Sequence, residues 1–340
     1  MQQTDTKSDL LRGTATASFF ARWGAVIEKH SHVGGNWGSA SADAKNGDRL
    51  PGVGLHSGQR VSMNLIPASP ETGIIFRRTD TRAEIRASWE NVIDSARCTI
   101  LSDGADTIVG TVEHLMAALA GLGVDNLIVE LDGPEVPIMD GSAAPFVFLI
   151  ECAGIVEQDE PRHAIRIQKP ISVVADGAMA ALYPDHSFSM SFEIDYDNPV
   201  VRHQKLSVTL DADSFKSELC RARTFGFLND VDRLRAAGLA RGGSLDNVIV
   251  VDGNHVLNSE GLRYENEFVR HKLLDAIGDL YLAGAPIVGR FRGVRSGHSH
   301  NRRLLTALFA DDEAWSYAGQ TTIAPADIIQ TRDARSLASV

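Results

Sequence analysis

One segment of the chain places a histidine and two aspartates at helical spacing. His271 and Asp275 stand four residues apart in the helix-like stretch Phe268–Leu282, so on a helix both side chains lie on one face, about one turn apart. That spacing lets both side chains reach one metal ion. Asp279 extends the face by another turn and is a candidate acceptor that orients a histidine. For His271 and Asp275 alone, a polar pair on a solvated surface is the better interpretation.

Two further histidines stand where catalytic groups are often found. His114 follows Glu113 at the start of an apolar helical pattern, and His298 lies in the segment Arg295–His300, between a predicted strand and a predicted helix. Glu113 has a simpler explanation, because a carboxylate near a helix N-terminus gains about 0.3–1 kcal/mol from the helix dipole. A solvated loop position likewise explains His298. Each residue on its own therefore indicates little.

Combined, the three segments match the division of labour in metal-assisted hydrolysis. His114, His271 and Asp275 would supply two nitrogens and one carboxylate, a catalytic zinc set that leaves a fourth position for water. Glu113 is then the candidate base for that water, and His298 is the candidate acid for a leaving group. The sequence therefore suggests a Zn²⁺-dependent hydrolase, beside the alternative that these are unrelated surface residues.

The elements that must position these residues are visible in part. Arg60–Ile66 alternates apolar and polar residues, as a half-buried strand does. Thr111–Gly121 has helical spacing, with Thr111 as the predicted N-cap and Gly121 and Gly123 as predicted stops. Because strands and helices are mixed rather than strictly alternating, the pattern favours an α+β fold in which β-sheets pack on helices.

An internal echo predicts that one structural unit is used twice. Asp125–Glu130 resembles Asp246–Val251, an Asp-Gly turn follows each run, and a helix-like stretch follows each turn. We expect two similar α+β domains at 51–160 and 161–312, joined by a charged, proline-containing boundary near 158–162. In this prediction, residues 1–50 are an irregular extension and residues 313–340 are a peripheral tail.

Composition and charge exclude several classes of protein. The 44 acidic and 33 basic residues give a net charge of −11, which argues against a nucleic-acid partner. The motifs GxGxxG, GxxxxGK[ST] and GxSxG are absent, so the dinucleotide-binding, P-loop and nucleophile-elbow interpretations fail. Three scattered cysteines predict a reducing compartment. The longest apolar run, Ala143–Val156, is too short to span a bilayer. We expect a cytoplasmic, monomeric protein with a small-molecule substrate.

Seven segments between about residue 52 and residue 312 resemble one known family in their order. They are GVGLHSG (Gly52–Gly58), TVEHLMAALAGLGVDN (Thr111–Asn126), PEVPIMDGSAAPFV (Pro134–Val147), CRARTFGF (Cys220–Phe227), GGSLDNVIVVD (Gly242–Asp252), LRYENEFVRHKLLDAIGDL (Leu262–Leu280) and SGHSHN (Ser296–Asn301). The chain thus resembles the UDP-3-O-acyl-N-acetylglucosamine deacetylases, zinc amidases that commit a sugar nucleotide to lipid A synthesis in Gram-negative bacteria. The resemblance implies two α+β domains with the zinc site at their interface.

The resemblance also implies roles for individual residues. The implied zinc ligands are His114, His271 and Asp275, and the implied catalytic residues are Glu113, His298, Asp279 and Thr224. In the family's terms, Glu113 is the general base and His298 is the acid or oxyanion-stabilising histidine, oriented by Asp279. Thr224 matches a threonine that donates a hydrogen bond to the oxyanion.

Further residues match the family's substrate contacts. These are Lys272, His56, Phe225, Phe227, Leu228 and Val231. Lys272 matches a lysine at the pyrophosphate end of the substrate, and His56 matches a histidine near the entrance of the site. The four apolar residues fall in the segment that covers the acyl chain, where each buried CH₂ contributes about 0.8 kcal/mol. Ordinary core packing explains the same apolar run.

Three departures from the family pattern leave other functions open. Tyr183 stands where a lysine is usual on the nucleotide side, and Arg97 stands where an apolar residue is usual near the entrance. Ala44–Leu50 is polar, so the family's first strand is expected to be missing or displaced. The alternatives are a paralogous zinc amidase that acts on another acylated amino sugar, and a degenerate, inactive copy.

Overall fold

The computed structural model describes residues 50–95 and 97–318. Its first sheet is mixed and has five strands. In spatial order they are β1 (Leu50–Val53), β2 (Arg60–Pro67), β8 (Leu127–Leu131), β3 (Ile74–Arg78) and β4 (Glu84–Arg86). Alternate residues such as Met63, Phe76 and Val129 are buried, as expected for strands with one face on a core. The strand predicted at Arg60–Ile66 is confirmed.

The second large sheet repeats this arrangement. Its main path is β10 (Ile171–Ala175), β11 (Ala178–Tyr183), β17 (Ile287–Val294), β12 (Phe188–Asp195) and β13 (His203–Thr209). Two more strands, β9 (Ala164–Ile167) and β18 (Trp315–Ala318), extend it, with β9 parallel to the start of β17. Two small three-stranded sheets complete the β structure. They comprise β5 (Val92–Ile93), β6 (Ile100–Ser102) and β7 (Ile108–Val109), and β14 (Phe225–Phe227), β15 (Ile249–Asp252) and β16 (His255–Val256).

Helices from both halves of the chain share one hydrophobic core with the two large sheets. The longer helices are α1 (Glu113–Leu122), α2 (Ala144–Ala153), α3 (Leu228–Ala236), α4 (Glu267–Tyr281) and α5 (His298–Phe309); shorter helical segments span Trp89–Asn91, Ala212–Ser214 and Phe215–Leu219. Among the described residues, no helix is both long and apolar enough to cross a membrane. The predicted α+β class, with sheets packed on helices, is confirmed.

The two large sheets have the same strand order and the same pairing directions. In each, the central strand (β8 or β17) is antiparallel to one neighbour and parallel to the other. α1 and α4 precede the two central strands, and α2 and α5 follow them. One structural unit is therefore used twice.

The register predicted for this duplication is wrong. Asp125–Glu130 leads into the central strand β8, but Asp246–Val251 leads into β15 of a small sheet. A turn followed by a short run of β-branched residues is typical of buried strands in general, so this pattern does not identify the sheet that a strand joins. The counterpart of β8 is β17, whose sequence does not resemble it.

Close packing of α1 against α4 brings the two halves together. Gly278 of α4 lies so near the carbonyl oxygen of Glu113 that a Cβ would overlap it. α1 ends at Gly123, whose φ is 71°, as predicted for a stop, but Gly121, the other predicted stop, lies inside α1. The predicted N-cap is wrong, because Val112 occupies that position. The Thr111 hydroxyl donates instead to Glu135 Oε1 at 2.7 Å.

The folded region extends beyond both of its predicted ends, residues 51 and 312. Leu50, expected in the irregular extension, is buried and begins β1, opposite Met63. Trp315, expected in a peripheral tail, lies in β18, where it pairs with Ile167 of β9. Its ring packs edge-on against that of Phe309, with ring centroids 5.1 Å apart. The ring contact of Trp315 with Phe309 helps to hold this strand on the sheet. The rest of the predicted extension and tail, 1–49 and 319–340, lies outside the described residues.

Candidate metal centre and active site

The packing of α1 on α4 places three candidate metal ligands together. His114 lies in the first turn of α1, and His271 and Asp275 lie one turn apart on α4. One ligand atom from each lies within 4.8 Å of the other two, and all three side chains are buried. Asp275 Oδ1 is 3.2 Å from His271 Nε2 and 3.6 Å from His114 Nε2. The solvated surface pair considered for His271 and Asp275 is therefore wrong.

The protonation of this cluster suits a divalent metal ion. Burial lowers the pKa of His271 to about 3, so its imidazole is neutral, and its Nδ1–H can donate to the Ala222 carbonyl 3.1 Å away. Burial favours a protonated Asp275, but the positive charge of His271, which is protonated only at low pH, and that of Lys272 hold the pKa of the Asp275 carboxyl well below its ordinary value. His114 Nδ1 is buried with no hydrogen-bond partner among residues 50–95 and 97–318. Two imidazoles and one carboxylate form a donor set that fits a zinc-like ion.

Glu113 is a buried carboxylate beside the cluster. Its Oε2 accepts the backbone N–H of Thr99 at 3.0 Å, and its Oε1 is 3.9 Å from His298 Nε2. Burial raises the pKa of Glu113, and the attraction of His298 and His114 offsets only part of that rise. A carboxyl group with a raised pKa can accept a proton near neutral pH, as general bases must.

His298 is held by a carboxylate on its far side. Its Nδ1 lies 2.8 Å from Asp279 Oδ2, which directs Nε2 towards Glu113 and Asp275, 3.9 Å from an oxygen of each. Burial opposes protonation, but the charge and hydrogen bond of Asp279, with the charges of Glu113 and Asp275, raise the pKa of His298 to about 9. A buried base and a protonated histidine thus flank the same cluster.

Lys272 lies inside this cluster. Its ammonium donates to Asp275 Oδ2 at 2.6 Å, and although burial works against it, the attraction of Asp275 raises the pKa of Lys272. The resemblance implied that Lys272 contacts the pyrophosphate of the substrate. In the structure, its ammonium is hydrogen-bonded to Asp275, a candidate metal ligand.

An aromatic segment borders the cluster on the α4 side. Phe225 in β14 packs edge-on against Phe268, with ring centroids 5.0 Å apart, and lies 6.4 Å from the His271 ring. Phe227 packs on Tyr196 at 5.7 Å. Thr224, half-buried, directly precedes Phe225. Leu228 and Val231 follow in α3, half-buried and one turn apart. The segment therefore runs from the cluster to a partly open apolar surface.

Comparison with known proteins accounts for this arrangement. A profile of the UDP-3-O-acyl N-acetylglycosamine deacetylase family matches residues 45–310. The chain belongs to this deacetylase family. A Chromohalobacter salexigens protein named UDP-3-O-acyl-N-acetylglucosamine deacetylase is 53% identical, over 83% of this chain and 95% of that protein. Proteins of the same name from Acidithiobacillus ferrooxidans and Legionella pneumophila are 55% and 53% identical, each over 78% of this chain and 88% of theirs.

The deacetylase-family motif GVGLHSG forms a turn near the cluster. Glu135 accepts the backbone N–H groups of His56 and Ser57, both at 2.8 Å. Burial lowers the pKa of His56, against the attraction of Glu135. The positive charge of Arg97, an exposed residue, also lowers the pKa of His56. Arg97 therefore lies on the same side of the molecule as His56.

Tyr183 departs from the deacetylase pattern at a distance from the cluster. It pairs with Arg290 in the middle of β17, about 13 Å along the strand from the end that leads to His298. The Arg290 guanidinium lies over the Tyr183 ring, 5.1 Å from its centroid. Both residues line a groove of about 580 Å³ with Lys205 and Arg292. That Tyr183 replaces a lysine on the nucleotide side stays a prediction from the resemblance.

Sequence reasoning did not single out three residues that hydrogen-bond to the candidate site residues or to their neighbours. Glu135 and Asn301 lie within the quoted motifs PEVPIMDG and SGHSHN, so a signal was present. Asn301 donates to Asp279 Oδ2 at 2.8 Å. Thr99 lies in none of the seven motifs, and only the fold brings it to Glu113 and Asp279.

Proposed function

We propose that the chain is a zinc-dependent deacetylase of UDP-3-O-acyl-N-acetylglucosamine. It hydrolyses the acetamide to acetate and the 2-amino sugar nucleotide, the committed step of lipid A biosynthesis. The observation that carries this proposal is the convergence of Glu113 and His298 on the buried set His114, His271 and Asp275. The names of the relatives support the choice of substrate.

The proposed zinc ligands are His114, His271 and Asp275. When bound there, the ion supplies a Lewis acid that polarises the acetamide carbonyl and lowers the pKa of a water molecule. The neutral state of His271 favours this, because imidazole binds metal through a free nitrogen lone pair. The low pKa of Asp275 favours it too, since a carboxylate ligand must be deprotonated.

Two protein groups move protons in this proposal. Glu113 accepts a proton from the attacking water, and His298 donates one from Nε2 to the departing amine. The C–N bond of the acetamide breaks as a C–O bond to water forms, so the products are acetate and a free amine. Asp279 keeps the His298 proton on the correct nitrogen. Thr224 is the candidate donor to the carbonyl oxygen as negative charge develops there.

Substrate contacts follow from the surroundings of the cluster. The acyl chain is proposed to lie along the apolar segment of Phe225, Phe227, Leu228 and Val231, because this segment starts beside His271. The diphosphate is proposed to share the Lys272 ammonium with Asp275, since an ammonium has three N–H donors. His56 is a proposed contact near the entrance.

Other features of the chain stay predictions. The two large sheets support the predicted domains at 51–160 and 161–312 once Leu50 is added to the first domain and Trp315–Ala318 to the second, with the metal site between them. Cys98, Cys152 and Cys220 are free thiols, which supports the predicted reducing, cytoplasmic compartment. Monomeric assembly is likewise a prediction.

Metal analysis together with an acetate-release assay tests the proposal. Full-length protein is expected to bind one equivalent of zinc and to release acetate from UDP-3-O-acyl-N-acetylglucosamine. The matched control substrate is UDP-N-acetylglucosamine, which keeps the acetamide but lacks the acyl chain and is expected to react much more slowly. Glu113→Gln should retain zinc and lose about 10²–10⁴-fold in kcat.

The outcomes separate this function from its alternatives. Bound zinc with turnover of a different acylated amino sugar, and none of this one, would favour the paralogous amidase suggested by Tyr183 and Arg97. Protein that binds no zinc and releases no acetate would identify an inactive copy and overturn the proposal.

A further inference from the structure

Thr99 contacts both groups that handle protons in the proposed reaction. It is a buried residue just before β6. Its backbone N–H donates to Glu113 Oε2 at 3.0 Å, and its hydroxyl donates to Asp279 Oδ1 at 2.5 Å. The same hydroxyl oxygen lies 3.2 Å from His298 Nδ1. One residue therefore links the candidate base to the carboxylate behind the candidate acid.

The donors and acceptors around Asp279 can be assigned by counting protons. A carboxylate only accepts hydrogen bonds, so the Thr99 hydroxyl proton points to Oδ1. Oδ2 accepts from Asn301 Nδ2 and from His298 Nδ1, both at 2.8 Å. The Thr99 oxygen then offers only a lone pair to His298 Nδ1. Thus the Nδ1–H of His298 is surrounded by acceptors, which leaves Nε2 facing the cluster.

The backbone of Thr99 is also tied to the helix that carries the base. Its carbonyl accepts the N–H of Val112 at 3.4 Å, and Val112 is the N-cap of α1. Thr99 is thus held at the start of α1 by its backbone, while its side chain reaches Asp279 on α4. Thr99 thus bridges the helix that carries the base and the carboxylate behind the acid.

We propose that Thr99 is a positioning residue for the proposed deacetylation, whose hydroxyl holds Asp279 so that His298 presents Nε2 at the correct distance from Glu113. This inference rests on the proposed function. It assigns Thr99 no contact with substrate. A purely structural role would make the hydroxyl important for folding and unimportant for the chemical step.

Three substitutions at Thr99 in the full-length, zinc-loaded protein separate these roles. Thr99→Val removes the hydroxyl and keeps the shape, Thr99→Ser keeps the hydroxyl, and Thr99→Ala serves if valine does not fold. The matched control is Thr107→Val, a buried threonine of the same small sheet region whose hydroxyl bonds Thr81. Zinc content and melting temperature are measured for each variant beside kcat and KM.

The expected result is a selective loss in the chemical step. Thr99→Val should lower kcat about 10–100-fold, the usual effect of removing an outer partner of a site residue, with KM and zinc content within about twofold. Thr99→Ser should restore most of the loss, and Thr107→Val should match wild type. In ¹⁵N-histidine spectra, the His298 Nδ1 signal should shift in Thr99→Val and not in Thr99→Ser.

Several outcomes overturn the inference. Wild-type kcat in both Thr99→Val and Thr99→Ala would show that the hydroxyl does not position the acid. An equal loss in valine and serine variants, or a loss confined to KM or to zinc content, would indicate a structural role. If wild type itself releases no acetate, the proposed function fails and this inference fails with it. If wild type releases acetate and Thr99→Val has the same kcat, the proposed function stands and only the positioning role of Thr99 is refuted.

Discussion

Replacing Asp279 by asparagine should change how activity depends on pH. His298 acts as an acid only when protonated, and the charge and hydrogen bond of Asp279 are the largest of the influences that raise its pKa from 6.5 to about 9. Asparagine keeps the size of the side chain and removes the charge. Burial, which lowers the pKa of His298, is then opposed only by Glu113 and Asp275. We expect the pKa of His298 in Asp279→Asn to fall to about its ordinary value or below.

The size of the effect follows from the protonated fraction. At pH 8, a histidine of pKa about 9 is about 90% protonated, and one of pKa about 6.5 is about 3% protonated. Loss of the acid form therefore lowers activity about 30-fold at pH 8, and only about 1.3-fold at pH 6, where both forms are mostly protonated. Misorientation of the ring adds a loss that does not depend on pH.

The assay is kcat/KM for acetate release between pH 6 and pH 9, with Asp279→Asn and wild type measured side by side. Both proteins carry the same metal and need a deprotonated Glu113, so a ratio of wild-type to variant activity that changes with pH reports the difference between their His298 pKa values. The exposed pair of Asp311 with Lys169 provides the control Asp311→Asn, which should follow wild type at every pH. A wild-type-to-variant ratio that stays constant from pH 6 to pH 8 would refute the assignment of His298 as an acid supported by Asp279.

Three further predictions concern the metal, the helix packing and the apolar segment. His271→Ala should lower the zinc content of the purified protein well below one equivalent, because it removes a buried ligand; unchanged zinc by metal analysis would exclude the ligand role. Gly278→Ala should lower the free energy of unfolding by about 1–3 kcal/mol, the usual cost of overpacking, since its Cβ would overlap the carbonyl of Glu113; thermal and denaturant unfolding check this, and wild-type stability would contradict the close packing. Phe225→Ala should weaken binding of the acylated substrate more than of UDP-N-acetylglucosamine, and equal weakening in binding measurements would argue against an acyl contact.

Much of the local structure could be predicted because local rules apply to it. The helix that carries His271 and Asp275 follows from apolar residues at helical spacing, and its periodicity alone puts the two side chains on one face. The end of α1 at Gly123 follows from the freedom of glycine to adopt a positive φ. Thr111 failed as an N-cap because its hydroxyl bonds Glu135, a partner distant in the chain that no local rule identifies.

The register of the duplication could not be read from the echo in the sequence. Short buried strands share a composition because they share an environment, so Asp246–Val251 resembles Asp125–Glu130 although the two runs lie in sheets of different kind. Strand pairing depends on which two strands align their backbone hydrogen-bonding groups. The composition of a single strand does not identify its partner.

The residue types on which the chemistry depends were determined by the sequence: Glu113 beside His114, His271 one turn from Asp275, and Asp279 another turn on. Helical periodicity acts over a few residues, so it relates neighbours on α4 and says nothing about α1. The family resemblance implied that His114 meets His271, and the tertiary structure shows how, because that contact depends on α1 and α4 packing closely at Gly278. Only the tertiary structure decided that Lys272 bonds Asp275 and that Thr99 joins the base to the support of the acid. Several of these contacts join residues that are distant in the chain, so helical periodicity and capping rules cannot predict them. The residues lie close together because the two halves of the chain bury their apolar surfaces in one core.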